Sequence, residues 1–170
     1  MTTVGVAVAI PQPHADILTT WRRRVGDPAA DLVFPHVTLL PPTRVAGASM
    51  DEVEAHLAAA ALGCAPFDMH LAGTGTFRPV SPVVYIQIAR GVSQCELLER
   101  AIRSGPIARD LDFPYHPHVT VAQEIGDDGL DEAYDGLSGF VARFPVDRFV
   151  LFSRDTAGAW RWGTEFPLGS

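Results

Sequence analysis

Apolar and polar positions along this chain switch between two periods, and the switches mark its elements. Val4 to Ile10 is an aliphatic run interrupted by Gly5 and stopped by Pro11, the pattern of a buried strand. From Ala15 to Val25 the spacing becomes helical: Ile17, Leu18, Trp21 and Val25 form one stripe, Arg22, Arg23 and Arg24 fall largely off it, and Gly26 and Pro28 end it. Leu32 to Leu40 predicts a second strand, closed by Pro41-Pro42. Ser49, with Glu52 at the third helical position, makes a capping box that opens a helix running to about Leu62 and Gly63. Phe67 to Ala72 alternates Phe67, Met69 and Leu71 against Asp68 and His70, a half-exposed strand, and Gly73 to Pro82 reads as a loop. Val83 to Ala89 is again an aliphatic strand, Ser93 to Arg103 a helix ended by Gly105-Pro106, and a further strand runs to about Ala122. Gly129 to Ala142 carries helical spacing. Val146 to Ser153 and Trp160 to Phe166 form a hairpin around an Asp155 to Gly158 turn.

This order is strand, helix, strand, helix, strand, taken twice, over residues 4–72 and 83–153, with a closing strand at 160–166. It predicts an α+β fold in one bilobal domain spanning residues 1–170. The repeats are antiparallel-rich sheets with outer helices, related by a pseudo-two-fold. The two copies also share a motif. His36-Val37-Thr38-Leu39 returns as His118-Val119-Thr120-Val121, each behind a proline (Pro35, Pro117), and the histidines stand 82 positions apart. Side chains alternate along a strand, so His and Thr two positions apart face one way while the aliphatic residues face the core. A single copy is an ordinary half-buried strand. Two copies in matched contexts arise by chance only roughly a few times in ten thousand on ordinary residue frequencies, which favours a shared cleft between the motif strands.

Composition narrows the partners. A net charge of -7 argues against a broad grip on duplex nucleic acid, which needs many cations on phosphates. The cations are carried by Arg, whose planar fork suits bidentate phosphate recognition. Cys64 and Cys95, in no paired spacing, read as buried thiols and not as a disulfide framework or zinc site. The first ten residues lack a basic region and a cleavage site, and no stretch approaches eighteen apolar residues. The expectation is a cytoplasmic monomer with no membrane partner and no duplex DNA partner.

Two histidines and two threonines match one chemistry well. Displacement at a phosphodiester needs a base on the attacking side and an acid on the leaving side, and near neutral pH one imidazole can be neutral while the other is protonated. Threonine hydroxyls can donate to the non-bridging oxygens where charge accumulates. Zinc would be the rival use, with His116 and His118 as a pair of ligands, but no carboxylate or third His lies at a characteristic spacing. A Ser-His-Asp hydrolase would require a Gly-x-Ser-x-Gly elbow, which is missing. No metal and no cofactor are expected.

The paired motifs, Pro117 ahead of the second, the Val83 to Ala89 strand leading into a Leu-rich helix and the closing Val150-Leu151-Phe152-Ser153 strand resemble the two-histidine phosphoesterase superfamily. Its bacterial 2′-5′ RNA ligase-like and cyclic phosphodiesterase branch is the nearest likeness, and it extends over most of the chain. The resemblance implies a bilobal fold with a central cleft, metal-independent catalysis by His36 and His118, and phosphate binding by Thr38 and Thr120. It implies substrates such as 2′,3′-cyclic nucleotides, RNA ends and 2′-5′ linked oligonucleotides. The expected reaction is hydrolysis of a 2′,3′-cyclic phosphate to a 2′-phosphate, with 2′-5′ ligation as its reverse on RNA junctions. A small cyclic nucleotide suits the acidic surface better than a long RNA. Phe77, Arg78 and Tyr115 are candidates to stack on a base or hold phosphate, Arg44 and Arg154 weaker ones. Pseudo-symmetry leaves either His free to be the base. The rival function is a non-catalytic module that holds a nucleotide or RNA end in the same cleft, against which the retention of both proton-transfer groups counts.

Overall fold

The computed structural model describes residues 2–45 and 49–169, and among these it forms four α-helices and one eight-stranded antiparallel sheet. In chain order these are β1 (Thr2–Ala9), α1 (His14–Arg24), β2 (His36–Val45), α2 (Met50–Leu62), β3 (Phe67–Thr76), β4 (Val83–Arg90) and α3 (Val92–Ile102). A 3-10 turn (Gly105–Ile107) leads to β5 (Val119–Gln123), α4 (Asp127–Gly136), β6 (Val141–Val146), β7 (Arg148–Arg154) and β8 (Trp160–Pro167). The strand order β6-β3-β4-β5-β2-β1-β7-β8 has its pseudo-two-fold between β5 and β2, the two motif strands. Each repeat gives its last strand to the other: β3 pairs with β4, and β7 returns to pair with β1. The helices cross over in the same way, α1 packing on β5 and α3 on β2. The predicted α+β duplication is thus one curled sheet with interlocked halves.

Alternation decides which face of the sheet is covered. Val37, Leu39, Val119 and Val121 are buried with Val4, Val6 and Val8 in a core shared by both halves, over which the helices lie. Burying each such aliphatic side chain contributes about 1.5–3 kcal/mol, so a one-residue slip of either motif strand would expose several of them at once. The opposite face keeps His36, Thr38, His118 and Thr120 partly open.

Several element boundaries differ from the sequence reading. β2 begins only at His36 and runs through Pro41 and Pro42 to Val45, because a bulge against β1 absorbs the prolines: Leu40 faces Val6 and Thr43 faces Val4. Proline lacks an N–H for the ladder, and a bulge is where a strand can hold it. β3 continues past Ala72 to Thr76 through a second bulge, Leu71 facing Ile88 and Thr74 facing Ile86, with Gly73 in the left-handed region at φ 75°. The predicted helix to Ala142 ends at Gly136, and Val141 opens β6. Gly136 lies under the Trp21 ring, which leaves no room for a side chain there. The α2 capping box between Ser49 and Glu52 forms as expected. On α1, however, Ile17 is exposed and Arg22 is buried, since Arg22 pairs with Asp27 just beyond the helix. Cys95 is buried, whereas Cys64 is half-exposed.

Two glycines carry a similar piece of packing. Gly5 on β1 faces Phe152 on β7, and Gly75 on β3 faces Tyr85 on β4. Each aromatic ring lies across the opposing glycine: a Cβ at Gly5 would overlap the Phe152 ring, and one at Gly75 would stand 2.6 Å from that of Tyr85. Glycine in a strand here marks a close approach. Gly5→Ala and Gly75→Ala are each expected to cost about 1–3 kcal/mol in urea unfolding through overpacking. Gly139→Ala, whose Cβ meets nothing within 4 Å, should be near neutral. Equal stability of all three variants would contradict this packing.

Candidate active site

The two motif strands meet through the antiparallel pair Val37 and Val119. One residue to either side, that register sets His36 beside Thr120 and Thr38 beside His118. All four side chains leave the sheet on the face opposite the buried valines. A sheet with two-fold pseudo-symmetry therefore gathers two imidazoles and two hydroxyls around a single point.

Each imidazole is oriented in the same way. His36 Nδ1–H donates to the Phe34 carbonyl at 2.7 Å, and His118 Nδ1–H donates to the His116 carbonyl at 2.6 Å. In both cases the acceptor lies two residues back across a proline, which has no N–H of its own. Both Nδ1 atoms being committed, the Nε2 atoms are left for the cleft, and that of His36 accepts from the Thr38 hydroxyl at 3.1 Å. A backbone-anchored Nδ1–H fixes the tautomer needed for proton transfer at Nε2.

Aromatic side chains close around both rings. His36 lies 4.5 Å, centroid to centroid, from Trp160, which stacks on Phe152 at 3.6 Å, with Phe34 on another side at 5.6 Å. His118 lies 5.0 Å from Phe77 and 5.3 Å from Tyr85. These contacts strip water from the imidazoles and disfavour their charged forms. Burial pulls His36 down to about 4, against its hydrogen bond to Phe34 and with help from the nearby charges of Arg22 and His118. Burial also lowers His118, opposed by its hydrogen bond to His116. The two sites are alike in geometry and unequal in depth.

The space over these groups falls into two depressions that share Thr38, Thr120 and Gln123. The larger, about 600 Å³, contains His118 and is walled by Phe77, Val80, Leu111, Phe113 and Tyr115. The smaller, about 310 Å³, contains His36 and is walled by Arg22, Arg154 and Trp160. Tyr115 spans the repeats, its hydroxyl donating to the Thr38 carbonyl at 2.7 Å, so its ring and not its hydroxyl faces the cleft. Arg78 is turned away from both depressions and held by Thr76, by Asp131 at 2.8 Å and by Asp127 at 3.6 Å. Arg44 is exposed and lines neither depression, whereas Arg154 lines the smaller. His116 projects beside His118, its ring 5.8 Å away, yet among the described residues no three His, Cys, Asp or Glu side chains gather as a metal site. His56 Nε2–H donates to the Ile102 carbonyl at the end of α3 at 3.0 Å, and His14 packs on Phe140 and Phe144, and neither lines the two depressions.

Sequence reasoning passed over Trp160, Tyr85, Arg22 and Gln123. Trp160 and Tyr85 reach the histidines from strands distant in sequence, which leaves no local signal. Asp27, five positions after Arg22, was the available sign that one arginine of the run is buried.

A family model described as the 2′-5′ RNA ligase superfamily matches residues 10–158. A protein of Halalkalibacterium halodurans, BH1439, named provisionally as a phosphoesterase, is 29% identical over 174 residues, covering 97% of this chain and 96% of that one. Among solved structures, Escherichia coli LigT in complex with NADP+ superposes with a TM-score of 0.69 at 22% identity, covering 99% of both chains. LigT in complex with 3′-AMP gives a TM-score of 0.66 at 21% identity and the same coverage. Those two likenesses carry the fold, and the family match carries the kinship: this chain belongs to the 2′-5′ RNA ligase superfamily of two-histidine phosphoesterases.

Proposed function

We propose that the protein is a metal-independent phosphodiesterase that opens a nucleoside or RNA-end 2′,3′-cyclic phosphate to a 2′-phosphate. The observation that carries this reading is the register of Val37 on Val119, which sets His36 with Thr120 and His118 with Thr38 about one point, both Nε2 atoms facing it. That LigT has been crystallised with 3′-AMP and NADP+ agrees with a nucleotide as substrate class.

Burial breaks the symmetry between the two histidines. His36, depressed the further, is the base: its Nε2 takes a proton from water as the oxygen attacks phosphorus. The P–O3′ bond breaks, and protonated His118 gives its Nε2 proton to the departing 3′ oxygen. Thr120 and Thr38 donate to the non-bridging oxygens; to do so the Thr38 hydroxyl turns from His36 to the phosphate. The nucleobase occupies the apolar depression beside His118, against Phe77 and Tyr115. Arg78, neutralised by two aspartates, supports that wall and makes no phosphate contact.

Three expectations follow from these roles. Hydrolysis of 2′,3′-cyclic mononucleotides should persist in EDTA and fall about 10²–10⁴-fold in His36→Ala and in His118→Ala, with folding intact by circular dichroism. Activity abolished by EDTA, or retained in either variant, would overturn the mechanism. Thr38→Val and Thr120→Val should each lower kcat by about 10²-fold with KM little changed, since their hydrogen bonds strengthen as charge builds.

The pH dependence has a definite sign. The active free enzyme holds His36 neutral and His118 protonated, so kcat/KM falls on the acid side as His36 protonates near 4 and on the alkaline side as His118 deprotonates below its usual 6.5. The optimum of kcat/KM therefore lies on the acid side of 6.5. Bound phosphate favours imidazolium, so the alkaline limb of kcat should sit at higher pH than that of kcat/KM. A kcat/KM optimum in the alkaline range would contradict the assignment.

A further inference from the structure

The His36 side of the cleft holds positive charge that the proposed chemistry leaves unused. Arg22 is 1% exposed, and its Nε donates to Asp27 Oδ2 at 2.8 Å. Its Nη2 is buried and has no hydrogen-bond partner among the described residues. Asp27 is itself held by a second bond, its other oxygen accepting from the Ala29 amide at 2.9 Å. A buried guanidinium with an idle donor is costly to leave unpaired, and it forms part of the wall of the depression beside His36.

Arg154 stands on the same wall, exposed, with no ion pair from its guanidinium to any described residue. The neighbouring Asp155 is engaged elsewhere, by the Ala157 and Ala159 amides and by Arg161. In a chain of net charge -7, the depression thus carries one arginine balanced by Asp27 but with an idle donor, and one arginine with no acid partner among the described residues.

A third group is delivered by a bulge. Thr120 faces Tyr85 and Ala122 faces Val84, so β5 spends two residues where β4 spends one. Val121 and Ala122 both turn into the core, and the alternation that would have aimed Ala122 at the cleft aims Gln123 there instead. The Gln123 carboxamide borders both depressions and makes no side-chain hydrogen bond to a described residue.

We propose that Arg22, Arg154 and Gln123 form an anion subsite beside His36 that takes a second phosphate group of the substrate. The guanidinium groups and the carboxamide N–H donors suit tetrahedral phosphate oxygens, and the subsite adjoins Thr38 and Thr120, where the reacting phosphate is held. The inference rests on the reading of the cleft as a phosphodiesterase site and narrows its substrate class. The preferred substrates are cyclic phosphates that carry a further phosphate, such as a nucleoside 2′,3′-cyclic phosphate bearing a 5′-phosphate. The same chemistry is offered by the 5′ phosphodiester of an RNA end.

The test compares kcat/KM for adenosine 2′,3′-cyclic phosphate, for its 5′-phosphorylated form and for a dinucleotide ending in a 2′,3′-cyclic phosphate, using the parent, Arg154→Gln and Gln123→Ala at two salt concentrations. Calorimetric binding of inorganic pyrophosphate runs beside it as a readout independent of turnover. Arg22 is left intact, since its loss would strand buried Asp27. The parent should prefer the 5′-phosphorylated nucleotide over the plain one by about tenfold. That ratio should fall towards one in Arg154→Gln and shrink in high salt, a response that a purely structural residue would not give. A preference for the dinucleotide alone would assign the subsite to an RNA phosphodiester. Turnover without preference for either extra phosphate, or a preference untouched by both variants, would overturn the inference. Absence of turnover on all three substrates, with pyrophosphate still bound by the parent and released by Arg154→Gln, would retain the subsite and overturn the phosphodiesterase reading.

Discussion

The pairing of β2 with β5 is the constraint on which the rest of the molecule depends. Only Val37 and Val119 are in ladder register there, yet that contact joins the two repeats and places the four polar side chains of the motifs together. Its energy comes from the other face, where Val37, Leu39, Val119 and Val121 are all buried under helices contributed by the opposite repeat. Because side chains alternate, a one-residue slip that turned the histidines and threonines away from the cleft would also take the valines out of the core. Stability and site geometry are therefore two sides of the same pairing. The exchange of β3 and β7 between halves reinforces it, since neither repeat can complete its part of the sheet alone.

On this symmetric base the side chains build an asymmetric cleft. The backbone treats the two imidazoles alike, with Nδ1 tied to a carbonyl two residues earlier. Their surroundings do not. Trp160 and Phe34 enclose His36 more fully than Phe77 and Tyr85 enclose His118, and Arg22 adds its charge on the His36 side. The larger depression is walled mainly by apolar side chains, with Glu99, Arg109 and Asp112 also lining it, and the smaller one carries Arg22 and Arg154. Most arginines away from the cleft are tied to carboxylates, whereas Arg154 at its edge has no ion pair to a described residue.

The sequence made the motif strands legible because two signals coincided, the period of two in each copy and the recurrence of the copy itself. The duplicated order of elements followed from hydrophobic spacing and from Gly and Pro punctuation, and the α2 capping box was readable residue by residue. What escaped was set by contacts distant in sequence. Pro41 and Pro42 read as a strand end because their tolerance depends on a bulge against β1, and Gly73 read as loop because its left-handed turn is absorbed by a bulge against β4. Arg22 looked like one of three surface arginines until Asp27 folded back on it. Gln123 was invisible for the same kind of reason, since a strand bulge shifts which side chain faces the cleft without leaving a mark in the local pattern.

The account stands on one phosphate being shared by two imidazoles, and nuclear magnetic resonance titration of both rings tests that directly. The resonances of His36 and His118 would be followed against pH in the free protein and with adenosine 2′-phosphate. In the free protein both should titrate below 6.5, His36 the lower, and both should show the Nδ1–H tautomer. On addition of the nucleotide both should move along one saturation curve, with the pKa of each raised as the anion stabilises its imidazolium. A response from only one histidine, or two responses saturating at different nucleotide concentrations, would contradict a single phosphate between the pair.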